Sequence, residues 1–234
     1  MAKQMKKRSG YRMLVFCLVL VVLSLGSANI LSNLAGFYGH MNQFNLHVKN
    51  HDGEEAQKEL NNLRAYYNYF SGWKLGYFAD RFLLSDMFLY EAETSVLNED
   101  CEKAIAILAD HQDDYRAINL TSICKFKALY SAYHSEAVQK DKKQKENILK
   151  IVLDEVKLGF KLCVEKGPGP EKNYDCSYNY DIVSDSKKAQ KVLESQMPGP
   201  EFVLGRSGKE PGKAGPGEKR LEPDAGQGQI QKGG

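Results

Sequence analysis

Apolar residues in this chain form one unbroken run near the N-terminus and, after it, stripes at helical spacing. The run covers the 13 residues from Met13 to Leu25, directly after a basic cluster that ends at Arg12. That length is typical of a signal-peptide core, whereas a helix that crosses a bilayer needs roughly 20 apolar residues. Beyond the run, apolar residues continue on one helical face at steps of three and four: Ile30, Leu34, Phe37, Met41, Phe44 and Val48.

The leader is therefore compatible with two outcomes. Residues 13–37 are long enough to span a membrane as an uncleaved anchor if their serine and asparagine residues are tolerated. Alternatively, the small residues before Asn29 are a cleavage signal, and the body would be secreted after a cut near Ala28. Because no acidic residue precedes Asp52, the positive-inside rule keeps the leading segment in the cytoplasm in both cases. The sequence predicts a single-pass membrane protein with a cytoplasmic N-terminus and an extracytoplasmic body.

Helical spacing also dominates the body, and no run alternates as a half-buried strand does. In the first stripe, apolar residues recur every three or four positions from Ala56 to Phe70, and Asp52 is the expected N-cap. The clearest end of a helix is Lys166-Gly167-Pro168, because glycine and then proline follow helix ends. The stripes and breaks predict helices over about 53–70, 79–97, 100–110, 115–137, 146–166 and 186–196.

Composition divides the chain into three parts. Residues 1–38 are the leader, which is the anchor or signal, and residues 39–200 form one all-α domain of antiparallel helical hairpins, long enough for its own core. Residues 201–234 are rich in glycine, proline, lysine and glutamate and have little to bury, so we expect a disordered tail. The formal net charge of +2 gives no basic footprint for nucleic acid.

Four of the five cysteines lie in the body, which the leader directs to an oxidising compartment. Cys101 and Cys124 are about equally distant from the predicted turn at 111–114, so they would face each other at the open end of a helix hairpin. Cys163 and Cys176 flank the Gly-Pro loop after the long helix. We expect a disulfide in each pair, and four buried thiols are the alternative.

Two aromatic segments are the candidate surfaces for a protein partner, because tyrosine and tryptophan are enriched at interface hot spots. The first lies in a break between two predicted helices, and the second is expected to be an extended segment over 174–180 that Cys176 ties to the bundle. The residues predicted to contact a partner are Trp73, Tyr77, Tyr174, Tyr178 and Tyr180.

The sequence has no nucleophile elbow, phosphate-binding loop or paired-acid motif, so we predict a protein that is not an enzyme and uses no cofactor. His40, His47 and His51 are spaced so that one helix presents all three on one side. The residues between His47 and His51 lack the glutamate of a zinc protease. A metal-binding domain that uses these three histidines is therefore one alternative function.

Two stretches of the body resemble the second helix of a tetratricopeptide repeat. The first is Gly53-Glu54-Glu55-Ala56 with Leu60 four residues later, and the second is Asp100-Cys101-Glu102-Lys103-Ala104 with Leu108 four residues later. Ala92 stands where the first helix of such a repeat carries a small residue, which lets the two helices approach closely. The resemblance covers about residues 50–165 and implies a stack of helical hairpins that binds a protein partner on its concave face.

These observations predict a membrane-anchored, extracytoplasmic helical adaptor or accessory subunit that binds protein partners, such as a membrane complex. A pilin-like filament or secretion-system subunit is the other alternative. Gly10, followed by Tyr11 and a long apolar helix, looks like a type IV prepilin leader, although Val15 stands where such pilins carry glutamate. That alternative predicts processing after Gly10.

Overall fold

The computed structural model of this chain describes residues 2–83, 85–168, 173–195 and 202–204, and the side chains of these residues except 2–12, 80 and 82. Every regular element within these ranges is helical, as the sequence predicts. The helices are α1 Ala2–Lys49, α2 Gly53–Gly72, α3 Gly76–Phe78, α4 Met87–Leu97, α5 Cys101–Leu108, α6 Tyr115–Tyr133, α7 Glu136–Gln139, α8 Lys142–Ile151, α9 Lys157–Lys166, α10 Tyr174–Ile182 and α11 Ser186–Leu193. A π-helical turn joins α8 to α9 in one rod.

Aspartate side chains begin several of these helices. Asp52 accepts a hydrogen bond from the backbone N–H of Glu55 at 3.2 Å, and Asp100 accepts one from Lys103 at 3.1 Å. Asp185 does the same at the start of α11. Each such cap satisfies a backbone donor that has no partner within the helix, and it is worth about 1 kcal/mol. The predicted starts of α2, α5 and α11 are confirmed, and so is the end of α9 at Lys166.

The first two helices form an antiparallel pair. Along α1, Asn29, Phe37 and His40 contact Tyr69, Tyr66 and Glu59 of α2 respectively, so residue numbers rise on one helix as they fall on the other. The predicted stripe of α1 is the face that packs on α2, and Phe37 and Phe44 are fully buried. The apolar run Met13–Leu25 lies on the same helix and is exposed. Helix α1 therefore has an apolar first part that no other helix in the described ranges covers and a second part that packs against α2.

The following helices continue the stack. Arg64 of α2 pairs with Glu91 of α4, and the thiols of α5 and α6 meet near the end of the α5–α6 hairpin. Tyr115 at the start of α6 lies beside Cys163 of α9, and Lys125 farther along α6 lies 3.7 Å from Glu155 in the π-helical turn before α9. Helix α6 and the α8–α9 rod are therefore also antiparallel. The core fills the space between successive helices. Whether these pairs repeat in the manner of tetratricopeptide proteins stays a prediction.

Two predicted elements differ from the structure. The helix expected over 79–97 is interrupted, because a π-helical turn covers Ala79–Leu83 and α4 begins only after Asp86. Arg116 holds the Asp86 carboxylate with two hydrogen bonds and thereby fixes this start. The segment expected to be extended over 174–180 is instead helix α10. Its inward face carries Cys176 and the polar Asn179, so an apolar pattern could not reveal it.

The boundary of the predicted tail also shifts. Phe202 and Leu204, inside the range assigned to the tail, are buried against the body. Phe202 packs on Phe126 and Phe160, with ring centroids 4.8 and 5.5 Å apart. These residues therefore belong to the folded body. The disorder predicted for the rest of the tail, 205–234, lies outside the described residues.

Candidate functional site

The first aromatic segment forms the turn after α2. Trp73 and Tyr77 are 55% and 75% exposed, and Phe78 beside them is 43% exposed. Lys74 adopts a left-handed backbone conformation, with φ of 59°, directly after the end of α2. The Trp73 ring lies 6.2 Å from that of Tyr69 near the end of α2. The structure therefore leaves both candidate residues, Trp73 and Tyr77, exposed in the segment that follows α2.

The second aromatic segment lies on α10. Tyr174 and Tyr178 are exposed and stack on each other at 5.9 Å, whereas Tyr180 is half-buried and packs against the core. A disulfide joins Cys163 to Cys176, as predicted, with a Cα–Cα distance of 5.7 Å. The amide of buried Asn173 donates to the Cys163 carbonyl at 2.9 Å. These bonds fix α10 on α9, so its two outer tyrosines form a rigid surface separate from the turn after α2.

The other predicted cysteine pair is close but not bonded. Cys101 and Cys124 are thiols, and each lies close enough to shift the pKa of the other. The interaction with Cys124 lowers the pKa of Cys101, whereas the interaction with Cys101, together with burial, raises the pKa of Cys124. Cys101 is half-exposed and Cys124 is buried. The hairpin geometry that predicted their approach is therefore confirmed, and Cys101 is the more reactive thiol of the two.

The three histidines of α1 and its C-terminal turn have separate environments. His40 Nδ1 lies 2.5 Å from Glu59 Oε2, and His47 Nδ1 lies 3.6 Å from Asp52 Oδ2. His51 stands in the turn after α1, with a positive φ of 56°. In the part of the chain that the structure describes, no three His, Cys, Asp or Glu side chains gather as metal ligands. The geometry thus gives no support to a site built from these histidines.

A surface that the sequence did not indicate runs along α6. Two shallow grooves flank this helix, one lined by Ile105 and Ile151 and the other by Leu158 and Leu162. The exposed Lys125–Glu155 ion pair lies between them. The sequence could not show these grooves, because their apolar side chains lie on helices that meet only when α5, α6 and α9 pack together. Gly159 was an indication in the sequence that α9 approaches α6 closely, because any side chain there would collide with Ser122 of α6.

Two buried asparagines were also missed. Asn179 of α10 donates to the Val203 carbonyl at 2.7 Å and accepts from the Val203 N–H at 2.9 Å. Asn119 of α6 donates to the same carbonyl at 3.1 Å and accepts from Asn179 at 2.9 Å. Buried polar groups need such partners, because an unpaired one costs about 1–3 kcal/mol. The two side chains hold the extended segment 202–204 by its backbone.

An ion cluster joins the start of α4 to the start of α6. Arg116 donates to both oxygens of Asp86 at 2.8 and 3.0 Å and to Asp114 at 2.7 Å. Burial tends to raise the pKa of Asp114, but the hydrogen bonds and positive charge of Arg116 outweigh it and lower this pKa. The same contacts raise the pKa of Arg116. The cluster positions the α5–α6 hairpin against α4.

A comparison with protein-family models gives no match, and neither a curated protein nor a solved structure matches the chain. The resemblance to tetratricopeptide repeats therefore remains a prediction. The function has to be inferred from the surfaces and the long helix of this chain.

Proposed function

We propose that this protein is a membrane-anchored helical adaptor whose body lies outside the cytoplasm and binds protein partners. The observation that carries the proposal is the division of α1. Its apolar half is exposed over Met13–Leu25, and its second half contributes Phe37 and Phe44 to the core of the body. An exposed apolar run on a helix of this length is a candidate membrane span. A bilayer would cover the apolar surface that the body leaves open.

The polar side chains at and beyond the end of the apolar run support a span that reaches beyond Leu25. Ser24 and Ser27 donate to the carbonyls of Val21 and Leu23 on their own helix, at 2.9 and 2.6 Å. Asn33 donates to the Asn29 carbonyl at 2.9 Å. Serine side chains in membrane helices satisfy themselves in this way, and polar groups need such internal partners where no water is present.

The surfaces of the body support the adaptor role. The grooves beside α6 are shallow and open, and they expose Leu158 and Ile105, whereas a small-molecule site is normally an enclosed cleft. The stacked tyrosines Tyr174 and Tyr178 offer large rigid side chains with polar tips, which suit protein interfaces. Both surfaces lie on helices that are held by the disulfide and by close packing, so little ordering is needed on binding.

Anchoring and orientation are tested by fractionation. We expect the full-length chain to stay in the membrane pellet after an alkaline carbonate wash. In sealed cells, external protease should digest the body and leave the residues before Met13 protected. Intact mass should show the complete N-terminus. Extraction into the supernatant with a mass that begins at Asn29 would contradict the anchor and favour a secreted domain.

Partner binding is tested by site-specific photocrosslinking in intact membranes. A photoreactive residue is placed at Leu158 in the α6 groove, at Tyr178 on α10, or at Lys142 as a control. The Lys142 side chain is 92% exposed and lies on neither surface. We expect one discrete crosslinked species at Leu158 or Tyr178 and none at Lys142. Identical patterns at all three positions would contradict a defined contact surface.

A pilin-like subunit is the second candidate, because neighbouring copies in a filament would also bury the exposed half of α1. It makes a different prediction for the same mass measurement. Processing after Gly10 would give a chain that begins at Tyr11, and the purified chain would form large assemblies. An adaptor keeps its N-terminus and does not polymerise.

A further inference from the structure

We infer that the turn from Trp73 to Phe78, named the aromatic turn here, inserts into the headgroup boundary of the bilayer that α1 crosses. Its partner is then lipid rather than protein. The inference rests on the proposed function, since it requires α1 to span the membrane. It is carried by the level of the turn along α1, by the length that a span needs, and by the side chains that the turn exposes.

The level of the aromatic turn follows from the antiparallel packing of α2 on α1. The Tyr66 ring packs on the Phe37 ring, with centroids 6.2 Å apart, so these two residues lie at about the same height. Trp73 follows Tyr66 by seven residues, which is about 10 Å along a helix axis. Because α2 runs opposite to α1, that step points from Phe37 back toward Ile30. Trp73 therefore lies level with about Ile30, a few residues beyond the apolar run.

The length of a membrane span brings the bilayer to that level. Thirteen residues of helix extend about 20 Å, whereas the hydrocarbon core is about 30 Å thick. Basic residues precede Met13, so an upright helix has to place residues as far as about Ser32 within the core. Ile30 then lies about 3 Å inside the outer edge of the hydrocarbon. Trp73, which is level with Ile30, falls within the boundary layer.

The aromatic turn has the side chains that such a layer accepts. Trp73, Tyr77 and Phe78 are all exposed, and tryptophan and tyrosine are enriched where the hydrocarbon meets the headgroups. Arg81 donates to the Tyr77 hydroxyl at 3.3 Å, and Lys74 is exposed at the tip. Long basic side chains at this depth extend toward lipid phosphates. At the bilayer boundary, the exposed rings would contact acyl chains and the basic side chains would contact lipid phosphates. In water, neither contact is available.

The experiment uses Trp73 itself, because it is the only tryptophan in the chain. The full-length protein is reconstituted into phosphatidylcholine–phosphatidylglycerol vesicles with and without lipids brominated near the top of their acyl chains. We expect a blue-shifted emission and a loss of more than half of the fluorescence with brominated lipid. Acrylamide in the aqueous phase should quench little. Bromines near the chain ends should quench less than bromines near the headgroup.

A matched control moves the tryptophan along the same helix pair. In the double variant Trp73→Phe, Leu46→Trp, the new side chain replaces an exposed one, 48% accessible, on α1. Leu46 lies 17 residues beyond Asn29, which is about 25 Å farther from the membrane. Its emission should be quenched by acrylamide and unaffected by brominated lipid. This control shows whether brominated lipid quenches a tryptophan anywhere in the body or only one at the level of Trp73.

Flotation of the same vesicles separates failure of the inference from failure of the anchor. Protein that floats with the vesicles, with a Trp73 emission quenched by acrylamide and not by brominated lipid, overturns the inference and leaves the turn open to a protein partner. Protein that does not float overturns the proposed anchor itself. Quenching of Trp73 and of Leu46→Trp to the same extent also overturns the inference, because the body would then lie flat on the membrane.

Discussion

The docking of the segment 202–204 on the helical body can be tested with two substitutions, Phe202→Ala and Asn179→Ala. Phe202 is 5% exposed and packs on two phenylalanine rings. Truncation of a buried phenylalanine costs about 3–5 kcal/mol. Because the segment is short and can detach instead of leaving a cavity, we expect a loss at the lower end of that range.

Asn179→Ala removes the clamp on the backbone of Val203. It abolishes two hydrogen bonds to Val203 and one to Asn119, each between 2.7 and 2.9 Å. At about 1 kcal/mol for a typical hydrogen bond, the expected loss is about 3 kcal/mol. Independent effects would add to about 6 kcal/mol in the double variant. Both substitutions act by releasing the same segment, however, so we expect the double variant to lose only about 4 kcal/mol and the coupling to be about 2 kcal/mol.

The assay is urea unfolding of the full-length chain in detergent, followed by circular dichroism at the helical minimum. Tyr178→Ala is the matched control, because Tyr178 precedes Asn179 on α10 and its side chain is exposed. Its effect should stay within about 0.5 kcal/mol. Additive losses in the double variant, or a loss below about 0.5 kcal/mol for Phe202→Ala, would refute the docking of this segment.

Further predictions concern the cysteines and the ion cluster. Iodoacetamide without a reductant should label Cys101 and leave Cys163 unlabelled, as read by peptide mass, and labelling of Cys163 would contradict the disulfide. Cys163→Ser should lower the unfolding free energy by about 3 kcal/mol in urea. Arg116→Met should cost about 3 kcal/mol, because two carboxylates lose their counter-charge, and Arg116→Lys should recover only part of it. The lowered pKa of Asp114 stabilises the fold above the usual aspartate pKa of about 4, and that stability disappears as the pH falls through the folded-state value. Thermal melts below about pH 4 should therefore decline less steeply for Asp114→Asn than for the parent chain.

The spacing of residues along the chain predicted the features that depend on local sequence: the buried faces of helices, the starts of helices and the pairing within a hairpin. Steps of three and four between apolar residues define a buried face, and the face from Phe37 to Val48 on α1 packs as expected. Aspartates such as Asp100 mark helix starts, because a side chain one position before a helix can reach its free N–H groups. Cys101 and Cys124 were brought together correctly, since a hairpin pairs residues equidistant from its turn.

Long-range polar contacts were beyond reach of the sequence. Asn119 and Asn179 are ordinary surface residues by composition, and they become buried only because Val203 supplies partners for their amides. Phe202 stands in a segment whose composition predicts disorder, yet two rings from α6 and α9 leave space for it. The end of the folded body is therefore set by tertiary packing and not by composition.

The structure placed one candidate in an unexpected setting. Trp73 and Tyr77 were predicted to bind a protein because their residue types favour interfaces. Their exposure is confirmed, but the packing of Tyr66 on Phe37 brings Trp73 level with about Ile30, a few residues beyond the apolar run. Residue type alone could not distinguish the two environments, because tyrosine and tryptophan suit both protein interfaces and the edge of a bilayer.

Continuity of α1 gives the body a stiff stem instead of a tether. The part of the helix from Asn29 to Lys49 is about 30 Å long, and it is packed against α2 with no break. A tilt of the stem by about 20°, the average for membrane helices, moves its far end sideways by about 10 Å. A flexible linker would let the body search a wide volume, whereas this stem holds it at one height above the lipid. A partner must then bind the body within a narrow range of heights above the membrane. A change in bilayer thickness would change the tilt of the stem and so the position of the whole body.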